Sequence, residues 1–328
     1  METNSSSDPS LNCGKDDVVD RTMYPTAYAV FFIIGFPANC LSLYVACLLV
    51  RKGNTVAVYL INLSVSDLLY TITLPVWIEL AFRRDVDDAF CGVIAVIMYN
   101  SFYVGSGLLC CISVDRYLAV VYPLYFDRVR EVRTAVAVSA LVWCGELALH
   151  LVLLAHAGAL NSSFSARRLC EDVMPMGRAE ADVAIVRVAL GFLLPFALML
   201  FCFQQIMRSL RGSPSLEETS RNKIRNLLLL LLLTYVVAFA PYQAVMLLRA
   251  AMESPDSCAQ ALLLRDYYMV FVATTTINSV ADPIIYCLVS ESAQTELKAK
   301  LLNRRVTLRP SWFSRKDIRL EPASSSSV

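Results

Sequence analysis

Seven apolar runs, each long enough to cross a bilayer, punctuate this chain at residues 25–50, 57–82, 91–121, 134–156, 182–210, 223–251 and 265–289. A spanning helix needs roughly 20 residues at about 1.5 Å of rise each, so each run suffices. Composition agrees: 57% of the 328 residues are apolar and 17% charged, above and below the respective norms for globular chains. The expected fold class is therefore an all-α membrane protein, a seven-transmembrane helix bundle. The third run ends in Asp115-Arg116-Tyr117, followed by Pro123. Charge inside a lipid-facing helix is expensive, so Arg116 must lie at the membrane edge or face the protein interior. The plain alternative for Asp115-Arg116 is a helix-end ion pair, worth little by itself.

Charge between the runs sets the orientation. The connections after the first, third and fifth runs hold Arg51-Lys52, then Arg128, Arg130 and Arg133, then Arg208, Arg211, Arg221, Lys223 and Arg225. The opposite connections mix Arg83-Arg84 and Arg167-Arg168 with Asp85, Asp87, Asp88, Glu171, Asp172, Glu253 and Asp256. The positive-inside rule then places the amino terminus outside the plasma membrane and the carboxyl terminus in the cytoplasm. Two sequons, at Asn4 and Asn161, fall on the outer side and are expected glycosylation sites. The stretch before Tyr24 has no basic n-region, so a cleaved signal peptide is not expected.

Four segments follow from this reading: an extracellular amino terminus at 1–24, the bundle at 25–289, a membrane-surface helix at 290–303 and a disordered cytoplasmic tail at 304–328. The third rests on ESAQTELKAKLL, where Ala293, Leu297 and Leu301 share one helical face beside lysines. No cysteine follows Cys287, so this helix has no palmitoyl anchor. The tail is polar and rich in serine.

Several functions are disfavoured by what the residues lack. A net charge of +1 offers no basic face for nucleic acid. With two histidines, His150 and His156, and no CxxC pair, there is no metal-ligand spacing. No phosphate-binding loop, dinucleotide fingerprint or nucleophile elbow appears, so neither an enzyme nor a cofactor is expected. A transporter or channel is the remote alternative, since no repeated halves with matching broken helices are visible.

The ordered markers resemble the rhodopsin-like (class A) G-protein-coupled receptors. They are Asn39 in GFPANC, Asp67 in NLSVSDLL, Arg116 in DRY, Trp143, Pro195 in GFLLPF, Pro241 in FAPY, and Asp282-Pro283 with Tyr286 in NSVADPIIY. The resemblance implies coupling to a heterotrimeric G protein through Asp115, Arg116 and Tyr117, with Tyr286 swinging to meet Arg116 and arrestin as a second partner. It also implies a bridge between Cys91 and Cys170. Cys13 and Cys258 are then the other outer pair, and a second bridge between them is expected. Cysteines within the spans, Cys110 and Cys111 among them, read as small apolar fillers. Proline in the fifth, sixth and seventh spans removes a backbone hydrogen bond and permits a bend, either a hinge or a static kink.

A narrower resemblance, carried by LLCCISVDRYLAVVYPL, VYLINLSVSDLLYTITLPVW, TAVAVSALVWCGE and NSVADPIIYCLV, is to the proton-sensing subgroup, relatives of lysolipid receptors. It implies a buried acidic triad of Asp67, Glu146 and Asp282. Buried carboxylates near one another cannot all stay ionised, so such a set takes up protons in coupled steps. The alternatives are a sodium site at Asp67 and Asp282, and for Glu146 a packed acid facing a neighbouring helix. The chain departs from the subgroup in having Met269 and Gln243 where histidines are expected, Gly105 for a serine, Phe239 for a tryptophan and Phe203 for a tyrosine. Arg187 and Arg249 are ligand-pocket candidates, either holding a lipid phosphate or carboxylate or pairing with Glu171 and Asp172. The expected signal is protons; the alternative is an anionic lipid, a lysophospholipid or oxidised fatty acid.

Overall fold

The computed structural model describes residues 19–129, 131–158, 169–170, 175–212, 218–253, 258–289 and 294–295. Seven helical segments there are long and apolar enough to cross a membrane. The first three are α1 (Tyr24–Arg51), α2 (Val56–Ala81) and α3 (Asp88–Val121). A short helix, α4 (Pro123–Val129), follows, and the fourth span is α5 (Val132–His156). The fifth is α6 (Arg178–Val188) continued through a π-helical turn at Ala189–Leu193 into α7 (Leu194–Gly212). The sixth and seventh are α8 (Glu218–Met252) and α9 (Cys258–Val289). Cys13, Asn4, Asn161, Glu171 and Asp172 lie outside the described residues, as does the expected surface helix at 290–303 apart from two helical residues, 294–295.

Sequence and structure differ at helix ends, and the differences are physical. The seventh span, expected from residue 265, begins at Cys258, so Arg265 sits about two turns inside α9 and is 3% exposed. A charged pair, Arg265-Asp266, reads as the edge of a span because its cost in lipid is high; inside the bundle mouth that cost falls. The π turn ends two residues before Pro195, whose missing N–H disturbs the ladder in that turn anyway. α3 starts with Asp87 as its N-cap, whose Oδ1 accepts from the Phe90 N–H at 2.9 Å.

Lipid removes the hydrophobic drive between helices, so packing and polar contacts must hold the bundle. Ile33, Leu141, Leu151 and Val237 point outward, as residues facing hydrocarbon should. Between helices several buried polar groups find partners. Asn39 Nδ2 donates to the Ser279 carbonyl at 2.8 Å, tying α1 to α9. Trp143 Nε1 donates to Asn62 Oδ1 at 3.1 Å, tying α5 to α2. The Ser42 and Ser64 hydroxyls meet at 2.9 Å, and Tyr70 reaches Thr276 at 3.0 Å. Each tie is modest, on the order of 1 kcal/mol in a membrane.

Candidate functional site

A cavity of about 880 Å³ opens at the Cys91 end of the bundle. Its mouth is strapped by the Cys91–Cys170 disulfide, with Cα atoms 6.2 Å apart, which brings Leu169 and Cys170 onto the lining. Tyrosines and apolar side chains form most of the wall, and three buried arginines, Arg187, Arg249 and Arg265, stand among them. Buried guanidinium groups need carboxylates or ring faces close by: each of the three has a carboxylate, and Arg187 and Arg249 also have a ring face. Arg249 Nε donates to Glu253 Oε1, one helical turn on, and its Cζ lies 4.8 Å from the Tyr268 ring centroid. Glu253 also accepts the Met176 N–H at 2.7 Å. Arg265 bonds to Asp266 at 3.4 Å.

Arg187 is held by three groups at once. Its Nη1 donates to Glu146 Oε2 at 3.1 Å, its Nη2 to His150 Nδ1 at 2.9 Å, and its Cζ rests 4.1 Å from the Tyr103 ring centroid. Tyr103 is placed by Gly191, because a Cβ there would collide with the Tyr103 ring. Gly191 lies in the π turn, and its carbonyl accepts from Tyr235 at 3.3 Å and Ser106 at 3.2 Å. The turn therefore frees a carbonyl that α3 and α8 both use.

A second polar site lies where α1, α2 and α9 meet. Asp67 and Asp282 are 4% and 3% exposed and act on each other electrostatically. Asn278 Nδ2 donates to Asp282 Oδ2 at 2.7 Å, and the Ser279 side chain bonds Asp67. Among the described residues neither carboxylate has an ion pair. Four buried oxygens here, Asn39 Oδ1, Asp67 Oδ2, Asn278 Oδ1 and Asp282 Oδ1, have no hydrogen-bond partner. Two carboxylates and two amide oxygens suit a hard cation, so these residues fit the sodium ion implied by resemblance. Gly105, where the subgroup has a serine, leaves its space beside Ser66 Oγ, 3.6 Å from where a Cβ would stand.

The three acids thus fall into two groups. Asp67 and Asp282 share one pocket, while Glu146 is bonded to Arg187 and lies beside the cavity. Arg187 has a partner in Glu146 on α5 and Arg249 one in Glu253, the residue after the end of α8; the loop acids Glu171 and Asp172 lie outside the described residues. Resemblance named Glu146, Arg187 and Arg249, yet Tyr103, Tyr235, Ser106, Gly191, Arg265 and Glu253 were missed. Only the glycine in LGF and the charges in Arg265-Asp266 and Glu253 carried a visible sign.

At the opposite end Arg116 Nη2 bonds Asp115 Oδ2 at 3.0 Å. Ile206, Leu210 and Leu228 close α7 and α8 against Tyr117, Val120 and Val121 of α3. The Tyr117 ring meets those of Tyr122 and Phe201 edge-on, each at 5.8 Å. Tyr286 packs beside Val45, Leu49 and Ala57 near the α1–α2 contact. Phe203 lies in the same closed cluster, and Phe239 sits under the cavity, edge-on to Phe102 at 4.7 Å and beside Tyr235 at 4.6 Å.

A bundle of seven spans with a ligand-sized cavity at one end and a tethered arginine at the other is the build of a signalling receptor. Residues 38–286 match the family described as 7 transmembrane receptor (rhodopsin family), and the chain belongs to it. It is 35% identical over 291 residues to G-protein coupled receptor 68 of Bos taurus, covering 88% of this chain and 80% of that one. Against G-protein coupled receptor 65 of Homo sapiens it is 33% identical over 293 residues, covering 85% and 86%. Against Lysophosphatidic acid receptor 6 of Gallus gallus it is 27% identical over 300 residues, covering 89% and 97%. The protein is a multi-pass receptor of the plasma membrane that couples to G proteins.

Proposed function

We propose that this receptor reports acidification outside the cell to a heterotrimeric G protein. The observation that carries the reading is the pair Asp67 and Asp282, buried together with neutral hydrogen-bond donors and with oxygens left over. Two such carboxylates need a cation between them, and a proton or a sodium ion meets the same need. A proton shared there lets α2 and α9 draw together without repulsion, and Asn278 and Ser279 orient the two carboxyl groups for it. Sodium supplies charge compensation when bound and competes with protons for the same oxygens.

Orientation follows the charge asymmetry: the Arg116 end, flanked by Arg51, Lys52, Arg133, Arg208 and Arg211, faces the cytoplasm. The bridged Cys91 end then lies in the oxidising space outside. Asp115, Arg116 and Tyr117 are the proposed G-protein face, shared with arrestin, and Tyr286 is its moving partner. The second bridge from Cys13 to Cys258 and glycans on Asn4 and Asn161 belong to the same outer face.

The test is a pH titration of second-messenger output in cells expressing the receptor. Output rising as the medium falls from about pH 8 to pH 6 supports the reading, with the response flattened and basal output raised in Asp67→Asn and Asp282→Asn. A wild-type receptor silent across that range overturns it.

A second reading is favoured by the cavity itself, whose buried Arg187, Arg249 and Arg265 suit the head of an anionic amphiphile while its tyrosine and apolar wall suits the tail. The lysophosphatidic acid receptor among the relatives points the same way.

A further inference from the structure

Arg187 faces a carboxylate and the cavity at once. It lines the cavity, is 5% exposed, and spends its bonds on Glu146 Oε2 at 3.1 Å and His150 Nδ1 at 2.9 Å. Guanidinium donates and never accepts, so His150 must accept at Nδ1 and is the neutral ring with its proton on Nε2. An imidazolium there would lose that bond and set a second cation against the first. The cluster is therefore one cation balanced by one anion, Glu146, inside the bundle.

An anion that enters the cavity to reach Arg187 upsets this balance, leaving two anions beside one guanidinium where water screens little. A proton on Glu146 restores it, and the neutral carboxyl still accepts from Arg187 through its carbonyl oxygen. Resting on the anionic-amphiphile reading, we propose that the ligand's anionic head and Glu146 share Arg187, so that each anion bound brings one proton onto Glu146. Protons and the amphiphile are then co-agonists at one guanidinium, each raising the apparent affinity for the other.

The surroundings single out Glu146. Facing the cluster are Tyr99 and Tyr103 from α3, His150 on Glu146's own α5, and Tyr242 from α8. Phenols carry no charge change between about pH 5.5 and 8. Nearer the mouth on α6 are Glu180 and Asp182, the latter 3.3 Å from the exposed His156. The other cavity arginines have different arrangements: Glu253 uses both oxygens, on Arg249 and on the Met176 N–H, and Asp266 is the immediate neighbour of Arg265. Among the described residues Glu146 bonds only Arg187. It is the carboxylate with an oxygen to spare for a proton.

The experiment uses the purified full-length receptor in nanodiscs and hexadecane-1-sulfonate, an amphiphile that stays ionised throughout, with hexadecan-1-ol as its neutral counterpart. Kd is measured between about pH 5.5 and 8, and proton uptake is counted by calorimetry in two buffers of different ionisation heat. The expected result is a Kd falling by up to about tenfold per pH unit of acidification, with close to one proton taken up per sulfonate bound and no slope for the alcohol. Glu146→Gln should bind the sulfonate as the wild type does at low pH and show no slope, and Arg187→Gln should bind weakly at every pH. Sulfonate binding with a flat Kd and no proton uptake overturns the linkage and leaves the anionic-ligand reading standing. A slope that survives in Glu146→Gln, or one that the alcohol shares, also overturns it. No sulfonate binding at any pH overturns both. Should Glu146→Gln not reach a folded state, the proton count on the wild type decides.

Discussion

At the Cys91 end the helices stand apart around about 880 Å³ of space, whereas at the Arg116 end α3, α7 and α8 close on Ile206, Leu210 and Leu228. Arginine marks both ends and is treated differently at each. In the open half Arg187 and Arg249 each have a carboxylate and a tyrosine face, so burial is compensated locally. In the closed half Arg116 has its sequence neighbour Asp115, and its Nε is buried without a hydrogen-bond partner. A donor left unmet costs about 1–3 kcal/mol, so Arg116 gains from a new partner. The open end offers space for a ligand; the closed end offers a donor for a protein. Between them the Phe102, Phe239 and Tyr235 rings and the π turn form one continuous packed layer.

The largest effect expected is at the closed end. Arg116→Ala should abolish nucleotide exchange on a co-expressed G protein while leaving surface expression and cavity binding largely intact. Full exchange by a well-expressed variant would show that the unmet donor is not what the G protein uses. At the open end, Cys91→Ser removes the strap, and a native bridge is typically worth about 2–5 kcal/mol. Surface receptor counted by flow cytometry should fall to near background; normal levels would mean that the cavity walls hold themselves apart without it.

A smaller change tests the layer between the two. Gly191→Ala drives a methyl group into the Tyr103 ring, and overpacking of this kind costs about 1–3 kcal/mol. The purified receptor should melt several degrees lower and bind anions more weakly, since Tyr103 carries the Arg187 guanidinium. An unchanged melting temperature would show that the ring moves freely. The smallest effect is expected at His156, whose exposed contact with Asp182 is worth under about 1 kcal/mol. His156→Gln should leave both melting and the pH response unchanged. His150, buried and bonded to Arg187, is a different case.

Sequence by itself determined the class, the spans and the Arg116 motif, because these are properties of consecutive residues. A run of apolar side chains declares its length, a proline declares the bond it lacks, and basic connections declare a side. The Cys91–Cys170 bridge was legible through resemblance. Only the tertiary structure decided the partners: that Glu146 belongs to Arg187, that Asp67 and Asp282 share four unmet oxygens with Asn39 and Asn278, and that Tyr235 finds the Gly191 carbonyl. These pairs are far apart in sequence and join different helices, and no periodicity along one helix says which neighbour its polar residue will face. Arg265 makes the same point, since a charge that reads as the end of a membrane span is buried once the bundle mouth surrounds it. Helix formation in lipid is a local matter of satisfying one's own backbone, whereas satisfying a buried side chain requires the other helices to be in place.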